Sequence, residues 1–179
     1  MKKSVYLVIG TIVLILIIAG IFLFNAGKSS VVLLETSLGN ISIEMYDKAM
    51  PLTTGNFEKL VSQGFYNNLT FHRVIPNFMI QGGDPRGDGT GGPGYTIMDE
   101  FAKENKNNRG TIAMANAGKN TAGSQFFINT VDNNFLDDKH PVFGKVILGM
   151  NVVDAISRVP RDRNDRPLTP VIIIRARIL

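Results

Sequence analysis

The stretch FHRVIPNFMIQGGD, residues 71–84, sets one basic side chain, Arg73, among Phe, Val, Ile and Met. Burying a lone guanidinium in such surroundings is unfavourable unless something pairs with it. Either the head snorkels to solvent from a strand end, or it points into a cleft that uses a guanidinium. On a regular strand Phe71 and Arg73 share one face, while His72 points the other way. If that face lines an open pocket, Arg73 is its one strong donor.

Working outward, VVLLET (31–36) and ISIEMY (41–46) flank SLGN, and Ile41, Ile43 and Met45 alternate with Ser42, Glu44 and Tyr46. That period of two predicts a half-buried hairpin. The period changes in PLTTGNFEKLVSQG (51–64), where Pro51 suits a first helical turn, Phe57, Leu60 and Val61 form one face, and Gly64 is placed as a stop. A second helix is predicted at NVVDAISRV (151–159), with Val152, Val153 and Ile156 on one side. Further strands are expected at TFHRVI, FMIQGG, GTIAMA, SQFFINT, VFGKVI and the closing PVIIIRARIL. Many short strands with two helices argue for a closed or nearly closed antiparallel barrel, although spacing alone leaves a sandwich open.

The chain has 179 residues and a formal net charge of +4. Lys2, Lys3 and Lys28 lie in residues 1–30, which hold no acid; the remaining 16 basic and 15 acidic residues leave the rest nearly neutral. With no basic cluster, nucleic acid is not an expected partner. Cysteine is absent, which excludes disulfides, thiolate catalysis and Cys-based zinc sites.

After a basic stub (1–4), residues 5–24 carry no charge over 20 positions. As a helix they would span about 30 Å, the thickness of a hydrocarbon core. A cleaved signal peptide has a shorter apolar region and a small-x-small exit. Bulky Phe24 disfavours cleavage after Ala26, while cleavage after Ser29 stays open. The expectation is an uncleaved transmembrane signal anchor with its N-terminus in the cytoplasm, since Lys2, Lys3 and the α-amine outweigh Lys28. A linker (25–30) then leads to an extracytoplasmic domain at 31–179.

Three long stretches carry a family resemblance: FHRVIPNFMIQGGDPRGDGTGGPGYTIMDEF, GTIAMANAGKNTAGSQFFINT and FLDDKHPVFGKVILGMNVVDAI. They resemble the cyclophilin family of peptidyl-prolyl cis–trans isomerases, in the family's order and spacing, across essentially all of residues 31–179. The resemblance implies a closed eight-stranded antiparallel β-barrel capped by two α-helices, with the substrate groove on its outer surface. It implies that Arg73 is the catalytic arginine. It further implies that Phe78, Met79, Phe127 and Leu136 receive the proline ring. Gln81, Ala115, Asn116, Ala117 and His140 would hold the flanking peptide, beside the groove-side Gln125. Where many members carry Trp, this chain has Phe135, which keeps an apolar wall but lacks the indole N–H donor. Cyclosporin binding is therefore expected to be weakened.

The chemistry fits those residue types. An X–Pro amide rotates slowly because of its partial double bond, a barrier of about 20 kcal/mol. Rotation breaks no bond, so no nucleophile, metal, cofactor or acid–base pair is required. In the twisted state the prolyl nitrogen becomes an acceptor, to which an always-charged guanidinium can donate. Other classes fare worse. A non-catalytic proline-peptide chaperone has no use for an intact Arg73. A carrier of small apolar ligands needs an empty interior. A protease lacks a triad. The glycine-rich loop at 82–94 has no G-K-[ST] after it and reads as a close-packed turn rather than a phosphate cradle.

Overall fold

The computed structural model describes residues 29–179. The expected transmembrane segment at 5–24 lies outside the described residues; among those described, no helix is long and apolar enough to cross a membrane. In chain order the elements are β1 (Val31–Thr36), β2 (Gly39–Met45), α1 (Pro51–Ser62), β3 (Leu69–Thr70), β4 (Arg73–Ile75), β5 (Met79–Gly82), β6 (Thr111–Met114) and β7 (Phe126–Asn129). A single 3-10 turn (Asn134–Leu136), β8 (Val142–Leu148), α2 (Met150–Ser157) and β9 (Ile172–Ile178) complete the fold.

The hairpin of β1 and β2 forms as its alternation requires, Thr36 pairing Gly39 across a two-residue loop. Helix α1 begins at Pro51, where the missing N–H is no loss, and buries Phe57, Leu60 and Val61. It stops at Gly64, whose φ of +70° is the left-handed stop expected of a glycine. Helix α2 buries Val153 and Ile156, with Val152 half-buried.

Strand pairing is antiparallel throughout, in the order β3-β9-β1-β2-β8-β6-β7-β5-β4. The ends, β3 and β4, are not bonded to each other. The expected closed eight-stranded barrel is therefore corrected to an open half-barrel of nine strands. The reason lies at Phe71–His72, where the predicted strand TFHRVI splits. Phe71 N–H still donates to Val171 at the β9 end, 3.0 Å, whereas Arg73–Ile75 pair with β5 instead. The same break corrects the facing: Phe71 turns fully into the core, while Arg73 two residues on is exposed.

Inward side chains fill the interior. Phe57 packs on Tyr66, Phe126 and Phe143 with ring centroids 4.9, 5.5 and 5.2 Å apart. All four rings are fully buried, together with Leu34, Ile41, Ile43, Ile80, Ile112 and Ile128. A core occupied in this way has no room for a carried ligand.

Candidate functional site

Alternation along the strands decides which residues leave the core. Val74, Ile80, Ile112, Phe126, Ile128 and Phe143 all point inward and are completely buried. Their neighbours therefore face outward, and register lines them up: Arg73 opposite Gln81, Gln81 opposite Phe127, Phe127 opposite Ala113, and Ala113 opposite Val142. One row across five strands thus runs from a guanidinium to an apolar surface. Met79, Ala113, Phe127 and Val142 form a second apolar cluster, separate from the core, flanked by Tyr46, Ile75, Phe78, Ala115 and Leu136.

Polar groups surround that cluster with fixed orientations. Gln125 Nε2 donates to the carbonyls of Gly89 (3.0 Å) and Gly91 (2.9 Å), which can only accept. Its Oε1 therefore accepts from Gln81 Nε2 at 3.0 Å, leaving the Gln81 carbonyl oxygen available as an acceptor. The glycine loop that fixes Gln125 is itself organised by Asp84. This carboxylate accepts from the N–H groups of Arg86 (2.8 Å), Asp88 (3.0 Å) and Gly89 (2.5 Å). Burial would raise the Asp84 pKa, but these N–H groups outweigh it and hold it below the usual carboxylate range. Gly91 is required because a Cβ there would lie 1.9 Å from the Asp84 carboxylate. The expected close packing holds at Gly82, Gly83 and Gly91, whereas Gly89, Gly92 and Gly94 are exposed with open space around them.

On the other side, His140 meets Phe127 edge-on at 5.3 Å and donates through Nδ1 to the Met114 carbonyl at 3.0 Å. Its loop is anchored by Asn105 and Asn107, whose side-chain amides donate to the His140 carbonyl at 3.0 and 3.2 Å. Asn116 donates from Nδ2 to Lys139 O, 2.8 Å, while its backbone N–H and carbonyl have no backbone partner among the described residues. An extended peptide could pair with them.

Three open depressions lie along this face, neighbours sharing a lining residue. One of about 480 Å³ is bounded by His72, Arg73, Gln81 and Arg166. It shares Gln81 with a second of about 420 Å³ beside Ala115, Ala117, Gln125 and the glycine loop. That one shares Asn116 with a third of about 760 Å³ reaching His140, Met98 and Phe101. His72 is buried with neither ring nitrogen paired among the described residues. Burial lowers its pKa, Asp84 opposes, and Arg166 and Arg73 reinforce burial.

The structure thus gathers Arg73, Phe78, Met79, Gln81, Ala115, Asn116, Ala117, Gln125, Phe127, Leu136 and His140 on one face. Phe135 sits at its margin, 70% exposed and stacked on Phe78 at 6.0 Å. The sequence reading missed Tyr46, Ala113 and Val142. Ala113 and Val142 follow from strand alternation once register is known; nothing local marks Tyr46.

Residues 31–178 match the family model described as cyclophilin-type peptidyl-prolyl cis–trans isomerase/CLD. The Arabidopsis thaliana peptidyl-prolyl cis–trans isomerase CYP18-2 is 45% identical over 157 residues, 86% of this chain and 96% of its own. A longer Arabidopsis isomerase, CYP71, is 49% identical over 151 residues, 82% of this chain but 24% of the relative. A Cryptosporidium parvum cyclophilin-type isomerase superposes with a TM-score of 0.82 at 34% identity, covering 85% of this chain and 98% of that one. The Cryptosporidium protein has also been crystallised in the presence of the dipeptide Ala-Pro. From the matched family model, the near-full-length relative and the shared fold, the chain belongs to the cyclophilin-type peptidyl-prolyl cis–trans isomerases.

Proposed function

We propose that Arg73 is the catalytic side chain of this isomerase and that the outer cluster around Phe127 and Met79 receives the proline ring. The observation that carries this reading is the row Arg73–Gln81–Phe127–Ala113, one cationic donor beside an apolar surface. Phe78 and Leu136 wall the ring site; Gln81, Ala115, Asn116, Ala117, Gln125 and His140 hold the flanking peptide. Raising the rate from about 0.01–0.1 to about 10³ per second means removing roughly 6–7 kcal/mol from the barrier. A charged hydrogen bond from Arg73 to the prolyl nitrogen supplies about 1.5–3 kcal/mol. The remainder comes from the apolar surface, which weakens the charge-separated planar amide, and from donors that fix one half of the peptide. The testing experiment is Arg73→Ala: turnover falls by about 10–150-fold while peptide binding persists.

Phe135 makes cyclosporin a weak ligand, because no indole N–H is present to donate. Phe135→Trp is expected to tighten the cyclosporin Kd by about fivefold to tenfold, the worth of one neutral hydrogen bond, with isomerisation unchanged within about twofold. An unchanged Kd by calorimetric titration removes this account.

The apolar run at 5–24 tethers the domain to a membrane on its outer side, where it acts on exported or surface chains as they fold. The support is the sequence alone: 20 uncharged positions behind Lys2 and Lys3. Protease added to intact cells expressing the full chain is expected to digest the domain; protection places it in the cytoplasm and contradicts the tether's orientation.

A further inference from the structure

We infer that Asp165 is a positioning residue for Arg73, its carboxylate a fixed counter-charge beside the Nε edge of the guanidinium. The inference rests on reading Arg73 as the catalytic side chain. Asp165 lies 92 residues further along the chain, in the turn between α2 and β9. That turn is built by Asp162, whose Oδ1 accepts from Asn164 N–H at 2.8 Å and Arg166 N–H at 3.0 Å, and by the Arg161–Pro167 bridge. It brings Asp165 against β4, an edge strand of the sheet, where the Asp165 carbonyl accepts from Val74 N–H at 2.8 Å. The carboxylate is thereby placed beside Arg73: Oδ2 is 3.7 Å from Arg73 Nε, and Oδ1 is 3.2 Å from Arg161 Nε.

Two further observations single out this carboxylate. Asp88 and Asp162 border the same depression, but Asp88 accepts from Thr90 N–H (2.9 Å) and Oγ1 (2.7 Å), and Asp162 is committed to its own turn. Among the described residues only Asp165 forms an ion pair with Arg73. Asp165 also has a φ of +64°. Glycine or asparagine serves a left-handed position at least as well, and neither supplies a charge. With Asp165 in ion-pair range of Nε and no hydrogen bond to the guanidinium among the described residues, the Arg73 Nη groups are left for the substrate. A long flexible side chain biased by a fixed counter-charge reaches the prolyl nitrogen with less freedom to lose.

The half-exposed pair adds little to stability, so the test is catalytic. Asp165→Asn and Asp165→Gly both keep the left-handed backbone and the bond to Val74 while removing the charge. Each is expected to lower kcat/KM for an Ala-Pro-containing peptide about fivefold to tenfold. The peptide Kd should stay within about twofold, and the Arg73 Nε–H NMR resonance should shift. Wild-type kcat/KM in both variants, or a weakening of Kd equal to the loss in kcat/KM, overturns the positioning role. Full activity in Arg73→Ala overturns the reading of Arg73 itself; loss in Arg73→Ala with none in the Asp165 variants overturns this inference alone.

Discussion

Arg73→Ala is expected to lower kcat/KM for an X–Pro peptide by about 10–150-fold, the worth of one charged hydrogen bond of about 1.5–3 kcal/mol. The fold should survive. Arg73 is exposed and its ion pair with Asp165 is a surface pair, worth about 0–1 kcal/mol. Ground-state binding should change little, because the planar amide nitrogen offers no lone pair to a donor; the bond forms only as the amide twists. Stopped-flow isomerisation beside a peptide titration separates these effects. A parallel loss in Kd would make Arg73 a binding residue instead.

Phe127→Ala is expected to act on the opposite term. The ring is 4% exposed, packed on Met79, Ala113 and Val142 and met edge-on by His140. Removing it costs about 3–5 kcal/mol of stability as for other core phenylalanines, toward the low end because the cluster lies on the outer face. The substrate loses the surface against which about three ring methylenes are buried, roughly 2.4 kcal/mol at about 0.8 per CH₂. Peptide Kd should rise about 50-fold. Thermal melting and a peptide titration read the two effects separately; an unchanged Kd removes Phe127 from the proline site.

The residues differ in how much of this they disclose before the chain is folded. Local pattern was enough for the β1–β2 hairpin, for α1 between Pro51 and Gly64, and for the inward alternation of Ile41, Ile43 and Met45, because each depends on neighbours within a few positions. The break at Phe71–His72 was not legible, since TFHRVI has a continuous strand pattern. It splits because Phe71 is drawn into the core beside Phe126, 6.2 Å away, while Arg73 must leave it. Of the paired Phe126 and Phe127, composition cannot say which faces out; register against β5 and β6 decides. The candidate site residues came from a family resemblance spanning long motifs rather than from spacing. Asp165 escaped because nothing near it in sequence announces a partner 92 positions away.

The most direct measurement combines binding and turnover in one sample: NMR exchange on a short Ala-Pro peptide with the full-length protein and with Arg73→Ala, each at saturating enzyme. The account predicts that the variant still shifts the peptide's resonances while cis–trans exchange slows by about 10–150-fold. Exchange at the unsubstituted protein's rate in the Arg73→Ala sample would contradict it.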